Sequence, residues 1–143
     1  DKIDDIMEQV KCPVALFVNR SYREGALVSF VLGGMIDVFL LSYLNIMLQN
    51  GHSVRLFLFE TDDEEFHQCI DDLLAHYADQ IVVVWFAGVE ELVTKERDGL
   101  LVMSHLSYTK LSEDELVMRE LSSLLVIRRN KNKGEKNERL EIG

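Results

Sequence analysis

The sequence has little cysteine and a shortage of basic charge, and each shortage argues against a class of protein. Cys12 and Cys69 stand alone, without Cys-x-x-Cys spacing. They therefore predict neither a zinc site nor a disulfide framework, and two free thiols suit a reducing cytoplasm. Lysine and arginine number 15 against 25 aspartates and glutamates, which gives a formal net charge of −10. A general nucleic-acid binder needs a basic face for the phosphates, so this balance argues against nucleic acid as a partner.

One long apolar run, residues 26–48, raises the question of a membrane span. About 20 largely apolar residues suffice to cross a bilayer. Asp37 falls near the middle of the run, where a carboxylate costs roughly 2.5–3.5 kcal/mol, and no cluster of Lys and Arg anchors either flank. Gly33 and Gly34, followed by Asp37, are typical of a turn into a helix N-terminus. The run therefore predicts a buried strand, a turn and a buried helix of a soluble domain.

The rest of the chain alternates strand and helix patterns. Six short apolar runs predict strands at residues 14–18, 27–32, 54–59, 81–86, 100–103 and 124–127. Nearly continuous apolar runs are typical of a parallel sheet covered on both faces. Helices are predicted at residues 35–49, 61–78, 89–97 and 116–121, with capping boxes that begin at Thr61 and Ser112. Residues 104–109 are predicted to form a loop.

The first strand does not fit this series. Only eight residues separate it from the second strand, too few for a parallel crossover. It is expected to run antiparallel to its neighbour, to lie elsewhere or to pair with another chain. We interpret residues 1–20 as the helix tail and strand that end a preceding repeat, 21–130 as a complete domain and 131–143 as a polar, flexible tail. The chain also begins without methionine, so we expect it to be part of a longer polypeptide.

The predicted fold class is α/β, with a doubly wound, mainly parallel five-stranded sheet and one extra N-terminal strand. Four segments carry a resemblance to a known family. Residues 12–20 (CPVALFVNR) resemble a CPVGILVDR strand, and residues 30–37 (FVLGGMID) resemble an FFGGPDDREAL turn. Residues 100–105 (LLVMSH) and 124–129 (LLVIRR) resemble DLIVVGR and SVLVIQQ strands. All four patterns belong to the cytosolic C-terminal region of monovalent cation/proton antiporters, which carries units similar to universal stress proteins.

The resemblance implies a noncatalytic regulatory or assembly domain of a Na⁺/H⁺ or K⁺/H⁺ antiporter. It would lie at the cytoplasmic face of the cell membrane, with the transmembrane domain of the same polypeptide and a second copy of the chain as partners. A small-ligand sensor that binds an adenine nucleotide or another anion is the alternative, and a free-standing universal stress protein is a third.

Universal stress proteins that bind ATP carry Gly-x2-Gly-x9-Gly-Ser/Thr after the fourth strand, because glycines let backbone N–H groups approach phosphates. This chain has no glycine between Leu100 and Lys133, and it keeps only Asp37 where the antiporter pattern has two acids, Arg and Glu. We therefore expect no cofactor, and an adenine nucleotide remains the alternative.

Five residues at two predicted strand ends form the candidate ligand site. Gly33 and Gly34 are placed to cradle an anion, with Asp37 touching a ribose or an amine; a tight turn with Asp37 in the first turn of the helix is the alternative. Ser104 and His105 follow the fifth strand, where α/β proteins place ligand contacts. No nucleophile elbow surrounds Ser104, so a structural loop or a ligand contact is predicted there rather than catalysis.

An acidic helix offers one further candidate. Glu64, His67 and Asp71 follow helical spacing and share one face. The group lacks a two-histidine pattern and a fourth ligand, so a solvated acidic face is predicted rather than a metal site.

Overall fold

Six strands form one sheet in residues 14–20, 22–94 and 98–129, the part of the chain that the computed structural model describes. They are β1 (Val14–Val18), β2 (Val28–Leu32), β3 (Val54–Phe59), β4 (Ile81–Phe86), β5 (Leu100–Ser104) and β6 (Ser123–Arg128). Their order across the sheet is β1-β6-β5-β2-β3-β4. All neighbours are parallel except β1, which runs antiparallel to β6.

The predicted α/β class, the mainly parallel sheet and the extra N-terminal strand are confirmed. Residues 26–48 form a strand, a turn and helix, as predicted. Of the three possibilities predicted for the first strand, antiparallel pairing with a neighbour in the sheet is what the structure shows, and the neighbour is β6, the last strand. The predicted helix tail before β1 and the polar tail at residues 131–143 lie outside the described residues.

Helices connect the strands, and several differ from their predicted extents. The α-helices are α1 (Leu41–Gln49), α2 (Glu64–Tyr77), α3 (His105–Leu111) and α4 (Glu115–Glu120). Short 3₁₀ helices occupy Met35–Leu40, Ala78–Gln80 and Val89–Leu92. The helix predicted at residues 35–49 thus begins as a 3₁₀ helix, and the one predicted at 89–97 ends at Leu92. The loop predicted at residues 104–109 is wrong, because α3 begins directly after β5.

Both predicted capping boxes place the N-cap two residues too early. Asp63 is the N-cap of α2 and accepts hydrogen bonds from the N–H groups of Glu65 and Phe66. Asp114 caps α4 in the same way and accepts from the N–H of Val117. In each case an aspartate two residues after the predicted cap takes the role, because aspartate is among the strongest N-caps and lies nearer the first helical turn.

Two hydrophobic cores lie on opposite faces of the sheet. The first is closed by α1 and α2, and the second by the Val89–Leu92 turn, α3 and α4. In β2, Phe30 and Leu32 belong to the first core and Val31 to the second. Successive side chains of a strand point to opposite faces, so covering both faces requires nearly continuous apolar runs.

Arg20, two residues after β1, binds the start of the neighbouring strand β6 and the end of α4. Its backbone N–H donates a hydrogen bond of 2.7 Å to Oγ of the buried Ser123. Its guanidinium donates to the carbonyl oxygens of Met118 and Leu121, at the C-terminal end of α4. Terminal helix carbonyls lack partners within the helix, so this arginine satisfies groups that would otherwise be unpaired.

Candidate functional site

Two strand ends meet where the sheet order changes direction. After β2 the chain adds β3 and β4 on one side, and it then crosses over to add β5 and β6 on the other side. In open α/β sheets, ligands bind in the crevice outside the carboxyl ends of the strands at such a place. Leu32 ends β2 and Ser104 ends β5. We call this place the switch point.

Asp37 joins the two strand ends at the switch point. Its Oδ2 accepts a hydrogen bond of 2.6 Å from the N–H of Gly33 and one of 2.8 Å from the hydroxyl of Ser107. The backbone N–H of Asp37 donates to the carbonyl of Gly34, 3.0 Å away, which closes the turn. A Cβ on Gly33 would lie 3.2 Å from Asp37 Oδ2, so a larger residue at this position would require the carboxyl group to shift by a few tenths of an ångström.

The other oxygen of the same carboxyl group is buried without a partner. Asp37 has 0% exposed surface, and its Oδ1 makes no hydrogen bond within the described residues. Nor does any lysine or arginine of those residues lie within ion-pair distance of it. Buried carboxylates are ordinarily paired or fully hydrogen-bonded, because loss of hydration is costly. The free oxygen is therefore the polar group here that most needs a partner.

A cavity of about 340 Å³ opens beside Asp37. We call it the switch-point cavity. Its wall is mainly apolar and includes Val31, Phe59, Phe86, Leu92, Met103 and Leu106. Its polar groups come from Asp37, Ser107 and Lys110. A mostly apolar wall with a few placed polar groups is typical of small-molecule sites, which usually measure about 300–1,000 Å³.

The five predicted site residues divide into two groups. Gly33 and Asp37 line the switch-point cavity together. Ser104 is buried, and its Oγ accepts a 3.1 Å hydrogen bond from the N–H of Ser107 as the N-cap of α3. Gly34 has a φ of 150°, and neither it nor the exposed His105 lines the cavity. The N–H of Gly33 already donates to Asp37, so it is not directed toward an anion.

The five predicted site residues do not include Ser107 or Lys110, although Ser107 lies in the segment 104–109 that was predicted as a loop or a ligand contact. Both line the cavity from α3, together with Leu111. The three positions are spaced i, i+3 and i+4, which places them on one face of a helix. Recognising residues 105–111 as a helix rather than a loop would have revealed this face.

A turn next to the cavity is held by Glu91. Its Oε2 accepts hydrogen bonds of 2.7 Å from the N–H of Ala87 and 2.8 Å from the N–H of Gly88. These bonds, that from Gly88 first, lower the pKa of the Glu91 carboxyl below its ordinary value. Val89 and Leu92 of the same turn line the cavity, so Glu91 shapes the wall without lining it.

In α2, the predicted acidic helix, His67 has a structural role. His67 donates from Nε2 to the carbonyl of Thr61 at 2.8 Å and stacks on Trp85, with ring centroids 4.8 Å apart. The described part of the chain holds no group of three or more His, Cys, Asp or Glu side chains arranged for a metal ion. Within the same residues, no helix combines the length and the apolar character that crossing a membrane demands.

No family model, curated protein or solved structure matches this chain.

Proposed function

We propose that this chain is a noncatalytic regulatory domain of a cation/proton antiporter, with a universal-stress-protein-like fold, and that it responds to a small molecule in the switch-point cavity. One observation carries the ligand-sensing part. Asp37 lines an apolar cavity at the switch point, is fully buried and has one oxygen without a partner. A site that leaves a buried polar group unsatisfied gains most from a ligand that completes its hydrogen bonds.

The antiporter assignment is supported by the resemblance of four segments to antiporter tails. Two of them, residues 30–37 and 100–105, contain the strand ends that form the switch point. The domain would therefore sit at the cytoplasmic face of the cell membrane and act on the transmembrane part of the same polypeptide. It would alter ion exchange without chemistry of its own. Ser104 supports the absence of catalysis, because its buried oxygen is engaged as a helix cap.

The test compares two exposed leucines in the complete polypeptide reconstituted in vesicles. Leu106 is 49% exposed and lines the cavity, whereas Leu116 on α4 is 73% exposed and does not. We expect the polypeptide to exchange Na⁺ or K⁺ for protons, and Leu106→Trp to change the exchange rate by obstructing the cavity. Leu116→Trp is the matched control and should leave the rate unchanged. Absence of exchange contradicts the antiporter assignment, and equal rates in both variants contradict regulation through this cavity.

An assembly role has separate support at the sheet edge. In the described sheet β4 is an outer strand, its six residues carry no charge, and Val82 is 64% exposed. An outer strand offers a row of unpaired backbone groups, and charges or proline commonly protect such strands from pairing. We propose that two copies of the chain pair through β4 to form the homodimer.

A further inference from the structure

We propose that the switch-point cavity binds an apolar molecule of about two fused rings that ends in an amine, with the amine on Asp37, and that it does not bind phosphates. The inference rests on the proposed ligand-sensing function and names the chemical class of its ligand. It follows from three features: the unpartnered oxygen of Asp37, the apolar wall of the cavity, and the hydrogen bond that the Gly33 N–H already donates to Asp37.

The amine follows from the hydrogen bonds of Asp37. Its Oδ2 accepts from two neutral donors, Gly33 and Ser107, while Oδ1 accepts from none in the described chain. A carboxyl oxygen is an acceptor and pairs most strongly with a charged N–H donor. Asp37 is fully buried, so a ligand ammonium would reach Oδ1 by displacing the side chains that cover it. It would then supply both the missing hydrogen bond and the missing positive charge.

The apolar body follows from the wall. Phe59 is 41% exposed and Leu106 is 49% exposed, although both are large apolar side chains at the cavity. A ligand that covers this surface removes apolar area from water, which favours binding. A volume of about 340 Å³ lies at the small end of ligand sites, which suits two fused rings rather than a dinucleotide.

The exclusion of phosphates follows from the turn after β2. A phosphate needs backbone N–H groups directed at it, as at a glycine-rich loop. The Gly33 N–H donates instead to Asp37 Oδ2, 2.6 Å away, so the carboxyl group of the chain occupies the place of an anion. Lys110 is the only cation among the lining residues, and it is exposed. A phosphate would meet one exposed ammonium and a buried carboxyl group.

The test is isothermal titration calorimetry of the full chain with matched probes. 2-Naphthylmethylamine carries the amine, 2-naphthylacetate carries an anion on a similar ring, and 2-methylnaphthalene carries neither; ATP and AMP are the phosphate probes. We expect the amine to bind at least about tenfold more tightly than each of the others, the size of one charge-assisted hydrogen bond. Equal affinities for the three naphthalenes, or tighter binding of ATP or AMP, overturn the proposal.

Two variants locate the binding. Asp37→Asn keeps an acceptor for Gly33 and Ser107 but places an amide N–H₂ where Oδ1 lies, so the amine should lose at least about tenfold in affinity and the acetate should gain. If that variant does not fold, Leu106→Trp against Leu116→Trp decides: only the first should weaken the amine. Unchanged amine binding in either Asp37→Asn or Leu106→Trp overturns the site.

Failure of this inference and failure of the proposed function give different results. If the acetate or ATP binds and Leu106→Trp abolishes that binding, the cavity is still a ligand site and only the amine is wrong. If the amine binds as expected while Leu106→Trp leaves ion exchange unchanged, the ligand class stands and the regulatory function is wrong.

Discussion

The hydroxyl of Ser107 donates a 2.8 Å hydrogen bond to Oδ2 of Asp37, and this contact joins the helix after β5 to the turn after β2. The same oxygen accepts from the N–H of Gly33. One carboxyl oxygen therefore holds together the two strand ends that border the switch-point cavity. The shape of the cavity depends on this pair, because its walls come from both elements.

We expect Asp37 and Ser107 to be energetically coupled. Ser107→Ala should lower the free energy of unfolding by about 0.5–1.5 kcal/mol, the usual net value of a hydrogen bond. Asp37→Ala should cost about 1–3 kcal/mol, because it also leaves the Gly33 N–H without its acceptor. In a double-mutant cycle by urea denaturation the two losses should be less than additive by at least about 0.5 kcal/mol. Ser112→Ala, which removes an exposed hydroxyl outside the pair, is the control; strictly additive losses would contradict the coupling.

Arg20 should matter more to stability than the neighbouring Arg23. Arg20→Ala removes the donors to two helix-end carbonyls and should lower the free energy of unfolding by about 1–3 kcal/mol. Arg23 pairs with Asp98 at 2.8 Å, but its side chain is 76% exposed. Exposed ion pairs contribute about 0–1 kcal/mol, so Arg23→Ala should have a small effect. Chemical denaturation of both variants measures the difference, and equal losses would show that the Arg20 contacts contribute little.

Glu91 should make the stability of the turn beside the cavity depend on pH. Its pKa is lowered in the folded chain, chiefly by the hydrogen bond from Gly88, so the folded state favours the ionised carboxylate. The stabilisation is therefore present above the ordinary pKa of 4.5 and is lost as the pH falls through the lowered value. Glu91→Gln should flatten this part of the stability profile. Glu90→Gln is the control, since it removes a charge from the same turn and leaves both hydrogen bonds in place; identical profiles for the two variants would rule out the role of Glu91.

Self-association should depend on β4. Val82→Lys places a charge on the outer strand and should shift the chain toward the monomer by at least about tenfold in dissociation constant. Phe17→Lys makes the corresponding change on β1, the other outer strand, and should leave the dimer intact. Sedimentation velocity over a wide concentration range distinguishes them. A strict monomer at all concentrations contradicts assembly, and a dimer lost only in Phe17→Lys would move the interface to β1.

Local pattern was sufficient to predict the strands. The predicted residues 54–59 and 81–86 match β3 and β4 at both ends, because strands that pack on both faces are nearly continuous in apolar residues; Arg55 is the one charged residue in these two strands. Helix starts were predicted less well. Thr61 and Asp63 compete for the same cap, and the two-residue difference is decided by which side chain reaches the free N–H groups of the first turn.

The site depended on contacts that local pattern does not contain. Gly33 and Asp37 were predicted together because they are four residues apart in one turn. Ser107 lies 70 residues further along the chain than Asp37, and only the strand order brings β5 beside β2. The partner of β1 was missed for the same reason, because pairing between the first and last strands has no local signature in either sequence.

The antiparallel pairing of β1 with β6 also has a mechanical consequence. Val14 lies opposite Arg128, so the start of β1 and the end of β6 are neighbours at the same end of the paired strands. A stretching force applied through these two residues would act on that end of the ladder. It would break the hydrogen bonds between β1 and β6 one after another, rather than all at once in shear. The pairing of β1 with β6 would therefore separate under a smaller force than a ladder loaded in shear, and β1 could detach while β6 stays paired with its parallel neighbour β5.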